Sequence, residues 1–257
     1  FNRNLPSTNW YLISAPVSGE SLGDVISNNT LASGSNGNLG LGYFSNVTGA
    51  PWLYAQSSSN ATISNGLGIS LKLANPGNLK VSGNLNTSNV IIPISSGTRN
   101  SFNLLGNPFT AYVNSATFTS DNEAFLTEKT IWVWEGTQYE TYNTVSPIQL
   151  APGQGFFVEA SENNNVTFNT ANRSHQSADT FKREVPIANF ELSIESEDTK
   201  SATKVFYVAG KTTGFDNGYD SKLFSGLANS FNVYTELVGD KQGEKLAIQT
   251  LDKDDTS

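Results

Sequence analysis

Cysteine and methionine are both missing from this chain, and histidine occurs once, at position 175. Without thiols there is no disulfide framework and no thiolate metal site, so stability must come from packing and strand pairing. A single histidine excludes two-histidine zinc patterns. With no G-x-S-x-G turn around any serine, it also leaves no serine hydrolase signature. His175 lies between Arg173 and Asp179 in a polar stretch and reads as a solvated side chain.

Charge is sparse as well: Asp, Glu, Lys and Arg make up 15% of the residues, and 23 acids against 15 bases give a formal charge of -8. Such a balance disfavours a nucleic acid backbone or an anionic lipid surface as partner. No apolar run approaches the length of a membrane-spanning helix. No basic and hydrophobic leader follows Phe1, so any export signal is expected to lie outside this sequence.

What is abundant is Asn, Ser, Thr and Gly between short runs of Val, Ile, Phe, Tyr and Trp, the pattern of strands and turns. An all-β chain is expected, with strands near Trp10–Ala15, Gly68–Leu73, Lys80–Leu85, Phe102–Gly106, Thr130–Glu135, Gln138–Tyr142, Gly155–Ala160 and Asn165–Asn169. Glu135-Gly136-Thr137 supplies a hairpin turn. Helical candidates are confined to Glu20–Ser27 and Asn122–Leu126.

The aromatic strand pattern stops near Ala171 and an apolar alternation restarts at Ile187. The expected organisation is a jelly-roll-like β-sandwich over 1–172, a linker over 173–186, and a second β-sandwich over 187–257. Three strands are legible in the second, at Asn189–Ile194, Lys204–Ala209 and Lys245–Leu251, so it is expected to be incomplete. The Trp10 and Phe102 regions share an apolar strand and a Pro-containing turn, a likeness too short to establish a repeat.

The carboxylates Asp24, Asp121, Glu123, Glu135, Glu140 and Glu159 show no spacing that selects a glycosidase pair, and Glu135 and Glu140 read as edge charges around the hairpin. No catalytic residue is assigned. Asp216, Asn217 and Asp220 gather the oxygen ligands calcium accepts, but they lack the EF-hand spacing and equally suit a turn. Trp132 and Trp134 alternate onto one strand face. With Tyr139 and Tyr142 across the hairpin, they are the candidate ligand contacts, because aromatic faces stack on sugar rings. Trp10 and Trp52 are the other two tryptophans available to such a platform. Asn-x-Ser/Thr sequons begin at Asn28, Asn46, Asn60, Asn86, Asn165 and Asn172, and in so Asn-rich a chain they read as loop chemistry.

The succession NWYLISAPVSGESL, FNLLGNPFTAYVNSATF, IWVWEGTQYETYN, LAPGQGFFVEA, FELSIES and TGFDNGYDSKLFSG resembles the region upstream of the sorting domain in secreted and surface proteins of the type IX secretion system. That resemblance implies an extracellular or bacterial cell-surface location and export by the type IX machinery through a C-terminal signal that this sequence does not show. It further implies a non-catalytic β-sandwich region of an adhesin-like protein that serves structural display or contacts a surface protein or glycan. The alternative it implies is a carbohydrate-binding accessory region of a secreted polysaccharide hydrolase.

Overall fold

The computed structural model describes residues 1–47, 49–175, 187–196, 199–227 and 231–255. Strands account for 42% of it and helix for 10%, which makes the chain all-β.

The first half is built from β1 (Asn2–Leu5), β2 (Tyr11–Ile13), β3 (Val17–Ser18), α1 (Leu22–Asn28), β4 (Leu41–Phe44), β5 (Trp52–Tyr54), β6 (Ile69–Leu71), β7 (Gly77–Lys80) and β8 (Asn84–Leu85). There follow β9 (Val90–Ile94), β10 (Phe102–Gly106), β11 (Tyr112–Asn114), α2 (Ser115–Asp121), β12 (Ile131–Trp134), β13 (Tyr139–Tyr142), β14 (Gln149–Leu150), β15 (Gly155–Glu159), β16 (Asn164–Phe168) and β17 (Arg173–Ser174). The two sets pair in the same way. Sheet β2-β6-β4-β5 matches β10-β15-β12-β13, ribbon β1-β7 matches β9-β16, and β3-β8 matches β11-β17. The chain through Ser174 is therefore a tandem duplication, which the sequence alone did not reveal.

The match extends to single hydrogen bonds. Leu22 N donates to Ala61 O and Ser115 N to Ile148 O, both at 2.9 Å; Ala32 N donates to Lys72 O and Thr127 N to Glu159 O, both at 3.0 Å. Ser21 caps α1 through Asp24 N, and Asn114 caps α2 through Thr117 N. Where the halves meet, Gly106 N donates to Gly66 O and Ser14 N to Gly153 O, both at 2.9 Å. Gly66 and Gly153 take positive φ values of 80° and 69°, a conformation that side chains resist. The halves are thus related by an approximate two-fold axis through this junction.

Alternation along the strands gives each half its own core, with the four-stranded sheet packed over the two-stranded ribbon. Ile13, Leu41, Ile69 and Leu71 face Leu5, Leu79 and Val81 in the first repeat; Leu105, Ile131, Val133 and Phe156 face Ile92, Val166 and Phe168 in the second. Burying such residues stabilises each half by about 1.5–3 kcal/mol per large side chain. Arg173 and Ser174, expected in the linker, instead pair with Val113 and Tyr112 of β11.

The remaining described residues form one sheet from β18 (Asn189–Ser196), β19 (Thr199–Tyr207), β20 (Ser221–Lys222), β21 (Thr235–Glu236) and β22 (Lys245–Leu251). β19 and β22 run parallel. This sheet is fastened to the second repeat. Trp132 Nε1 donates to Lys222 O at 3.2 Å, Asn143 Nδ2 to Tyr219 O at 2.7 Å, and the hydroxyls of Thr130 and Ser221 lie 2.9 Å apart. At its edge, β18 leaves Phe190, Leu192 and Ile194 exposed.

Candidate functional site

The sheet faces that point away from the two cores carry the aromatic residues. In the second repeat they are Phe102, Trp132, Trp134, Tyr139 and Phe157; in the first, Trp10, Phe44, Trp52 and Tyr54. Equivalent positions follow from strand register. Gly42 pairs with Ser70 as Trp132 pairs with Phe157, and Phe44 pairs with Trp52 as Trp134 pairs with Tyr139. Gly42 and Ser70 thus stand where the second repeat has Trp132 and Phe157.

That exchange decides what each face does. On the second repeat the surface is filled: the Phe224 ring lies 4.8 Å from Phe102, 5.1 Å from Phe157, 5.8 Å from Trp132 and 4.2 Å from Tyr139, centroid to centroid. On the first repeat the Tyr54 ring packs over Gly42, and beside it, over Ser70, lies a cavity of about 230 Å³ lined by Trp10, Leu12, Trp52, Tyr54, Ser70, Trp134, Tyr139 and Leu227. A cavity of roughly 150 Å³ is enough to hold a benzene ring.

The walls are fixed by their neighbours. Trp134 Nε1 donates to Trp10 O at 3.0 Å, Ser70 Oγ donates to Gly42 O at 3.3 Å, and Trp10 and Tyr54 pack at 5.7 Å. Burial raises the Tyr139 phenol above its ordinary range, so it stays a neutral hydrogen-bonding group. Lys72 Nζ reaches over the Trp10 ring at 5.9 Å and lies within 4 Å of no carboxylate among the described residues. The cavity therefore has ring-stacking walls, one of which, Trp10, lies beneath a lysine.

The four candidate ligand contacts separate. Trp134 and Tyr139 line the cavity. Trp132 is fully buried beneath Phe224 and does not, and this corrects its assignment as a contact. Tyr142 turns to the opposite side, against the second core, because residues three apart in a strand face opposite ways. Trp10 and Trp52 take their place beside Tyr54, which the sequence reading did not single out. The signal for Tyr54 lies in the repeat, since it falls on β5, the strand equivalent to β13.

The calcium candidates hold the chain instead. Asp220 accepts from Asp216 N and Thr250 N, both at 2.6 Å; Asp216 accepts from Thr212 N at 2.7 Å; and Asn217 Oδ1 accepts from Lys129 N at 2.8 Å. Burial raises Asp220 to about 6 despite these bonds. The side-chain oxygens are spent on backbone amides, and no group of three metal-binding side chains occurs among the described residues.

The carboxylates are likewise engaged. Asp24 caps α1, Asp121 accepts from Asn169 and Asn172 at 2.7 Å, Glu123 pairs with Lys129 at 3.0 Å, Glu140 with Lys204 at 3.5 Å and Glu159 with Lys222 at 2.9 Å. Glu135 carries the hairpin turn, its amide donating to Gln138 O at 2.9 Å. His175 is exposed at the end of the second repeat.

Comparison of the chain with protein-family models, curated proteins and solved structures finds no match.

The motifs that carry the resemblance to type IX proteins are structural devices here. Asn107 of GNPF is buried, donates to Ala111 O, Leu150 O and Ala151 O, and accepts from Phe109 N. APGQGFF delivers Gly153 to the repeat junction, while GFDNGYD makes the Asp216 and Asp220 clips.

Proposed function

We propose that this chain is a non-catalytic binding region of an exported bacterial surface protein, and that it contacts a protein or glycan ligand through the aromatic cavity of its first repeat. The observation that carries this reading is the cavity itself: five aromatic residues wall an open site that none of the described residues fills, while its counterpart on the second repeat is filled by Phe224. An aromatic concavity with few polar groups is the usual form of a ligand site. Export through the type IX pathway and an adhesin-like role rest on the ordered motifs quoted above and on an acidic, cysteine-free, Asn- and Thr-rich composition.

The carbohydrate-binding accessory region of a hydrolase is the second reading. Trp134 favours it, since its ring is available to stack on a sugar, whereas burial of Trp132 and the engaged oxygens of Asp216 and Asp220 count against its wider form. The test is intrinsic fluorescence and a glycan array on the whole chain and on Trp52→Ala, with fold checked by circular dichroism. Binding that the folded variant loses supports the site. Binding that it retains removes the cavity from the account.

A further inference from the structure

The docking of Phe224 on the second repeat serves as a template for what the first repeat accepts, because the two surfaces are equivalent position by position. Phe102, Tyr139 and Phe157, which hold Phe224, correspond to Trp10, Trp52 and Ser70, all of which line the open cavity. Two residues before Phe224, Lys222 pairs with Glu159 at 2.9 Å. The equivalent of Glu159 is Lys72, fixed by the matching bonds from Thr127 N to Glu159 O and from Ala32 N to Lys72 O. Charge beside the aromatic face is therefore reversed between the repeats, while two of the three positions that hold Phe224 stay aromatic, as Trp10 and Trp52.

We infer that the cavity binds an extended peptide segment of a protein partner carrying an acidic residue two positions before an aromatic one, the charge-inverted counterpart of Lys222-x-Phe224. The aromatic ring enters between Trp10, Trp52 and Trp134, over Ser70, where the second repeat carries the larger Phe157. Its acidic neighbour reaches Lys72. In an extended segment, side chains two apart project to the same side, so both contacts form at once. The reversed sign at Lys72 also keeps the chain's own Lys222-x-Phe224 segment from competing, a like-charge exclusion of the kind that sets partner choice. This inference rests on the proposed contact function and adds the partner's chemistry.

The test uses the whole chain and three synthetic peptides, identical except at the central triplet: Asp-Leu-Phe, Lys-Leu-Phe and Asp-Leu-Ala. Binding is read by tryptophan fluorescence and calorimetry at low salt. The Asp-Leu-Phe peptide is expected to bind about tenfold more tightly than Lys-Leu-Phe, as attraction is exchanged for repulsion at a part-exposed lysine, and Asp-Leu-Ala is expected not to bind. Lys72→Glu should invert the preference between the first two, and Trp52→Ala, which removes a wall of the cavity, should abolish binding. Binding indifferent to the charge of the peptide or of residue 72 overturns the inference. If no peptide binds but a glycan does so in the same cavity, the inference fails and the proposed function stands. If neither binds, both fall.

Discussion

Asn29 and Asn122 perform the same task in the two repeats, each tying the end of a short helix to the neighbouring ribbon strand. Asn29 Nδ2 donates to Val25 O at 2.8 Å and to Lys80 O at 3.1 Å, while its Oδ1 accepts from Lys80 N at 2.8 Å. Asn122 makes the same three bonds to Phe118 O, Thr167 O and Thr167 N at 2.8, 3.0 and 2.7 Å. Asn29→Ala and Asn122→Ala each leave backbone groups of two elements without partners and are expected to destabilise by about 1–3 kcal/mol. As the two sites serve separate cores, the double variant should lose the sum, measured by denaturant midpoints.

Phe224 holds the C-terminal sheet to the second repeat from within an aromatic cluster. Phe224→Ala removes a buried ring and is expected to lower the stability of that junction by about 3–5 kcal/mol. The C-terminal sheet should become sensitive to limited proteolysis while residues 1–174 persist as a resistant fragment. Simultaneous loss of both parts would show that the repeats depend on the sheet.

Glu128 lies at the same junction, with no exposed side-chain surface and Lys222 Nζ 3.5 Å away. Burial raises it to about 7, outweighing the nearby lysine. With a folded value above the ordinary glutamate value of 4.5, the native state binds the proton more tightly than the unfolded chain does. The resulting stabilisation is complete below about pH 4.5 and disappears as pH rises through about 7. Glu128→Gln, which stays neutral, should therefore gain stability relative to the parent between pH 5 and pH 8. A melting-temperature difference that stays flat with pH would contradict this.

Calcium should leave the melting temperature unchanged relative to a chelator, since Asp216, Asn217 and Asp220 direct their oxygens at backbone amides. Asp220→Ala should nonetheless destabilise by about 1–3 kcal/mol, because it releases the Asp216 and Thr250 amides.

Much of the strand content was legible because alternation is written locally. Phe102–Gly106 and Lys245–Leu251 coincide with their expected spans, and the hairpin at Glu135 forms as its turn residues dictate. Leu41–Phe44, Trp52–Tyr54 and Tyr112–Asn114 escaped notice because two of their flanks are Gly- and Ser-rich and each is only three or four residues long. The duplication was hidden for a related reason. What the repeats share is hydrogen bonding and pleat parity, satisfied by Asn at both helix ends but by Ser70 in one sheet and Phe157 in the other. The cavity arises from that divergence, so no single segment announces it. Trp134 and Tyr139 were named from their alternation and Trp10 and Trp52 as further tryptophans for a platform, whereas Tyr54 joins them only through the two-fold relation.

The central claim, an open aromatic site on one repeat and a filled one on the other, is tested most directly by the indole resonances. In a proton–nitrogen correlation spectrum of the whole chain titrated with the Asp-Leu-Phe peptide or with any glycan the array identifies, the Trp10, Trp52 and Trp134 indole signals should shift and the Trp132 signal should stay in place. A ligand that moves Trp132 while leaving the other three unchanged would contradict the account.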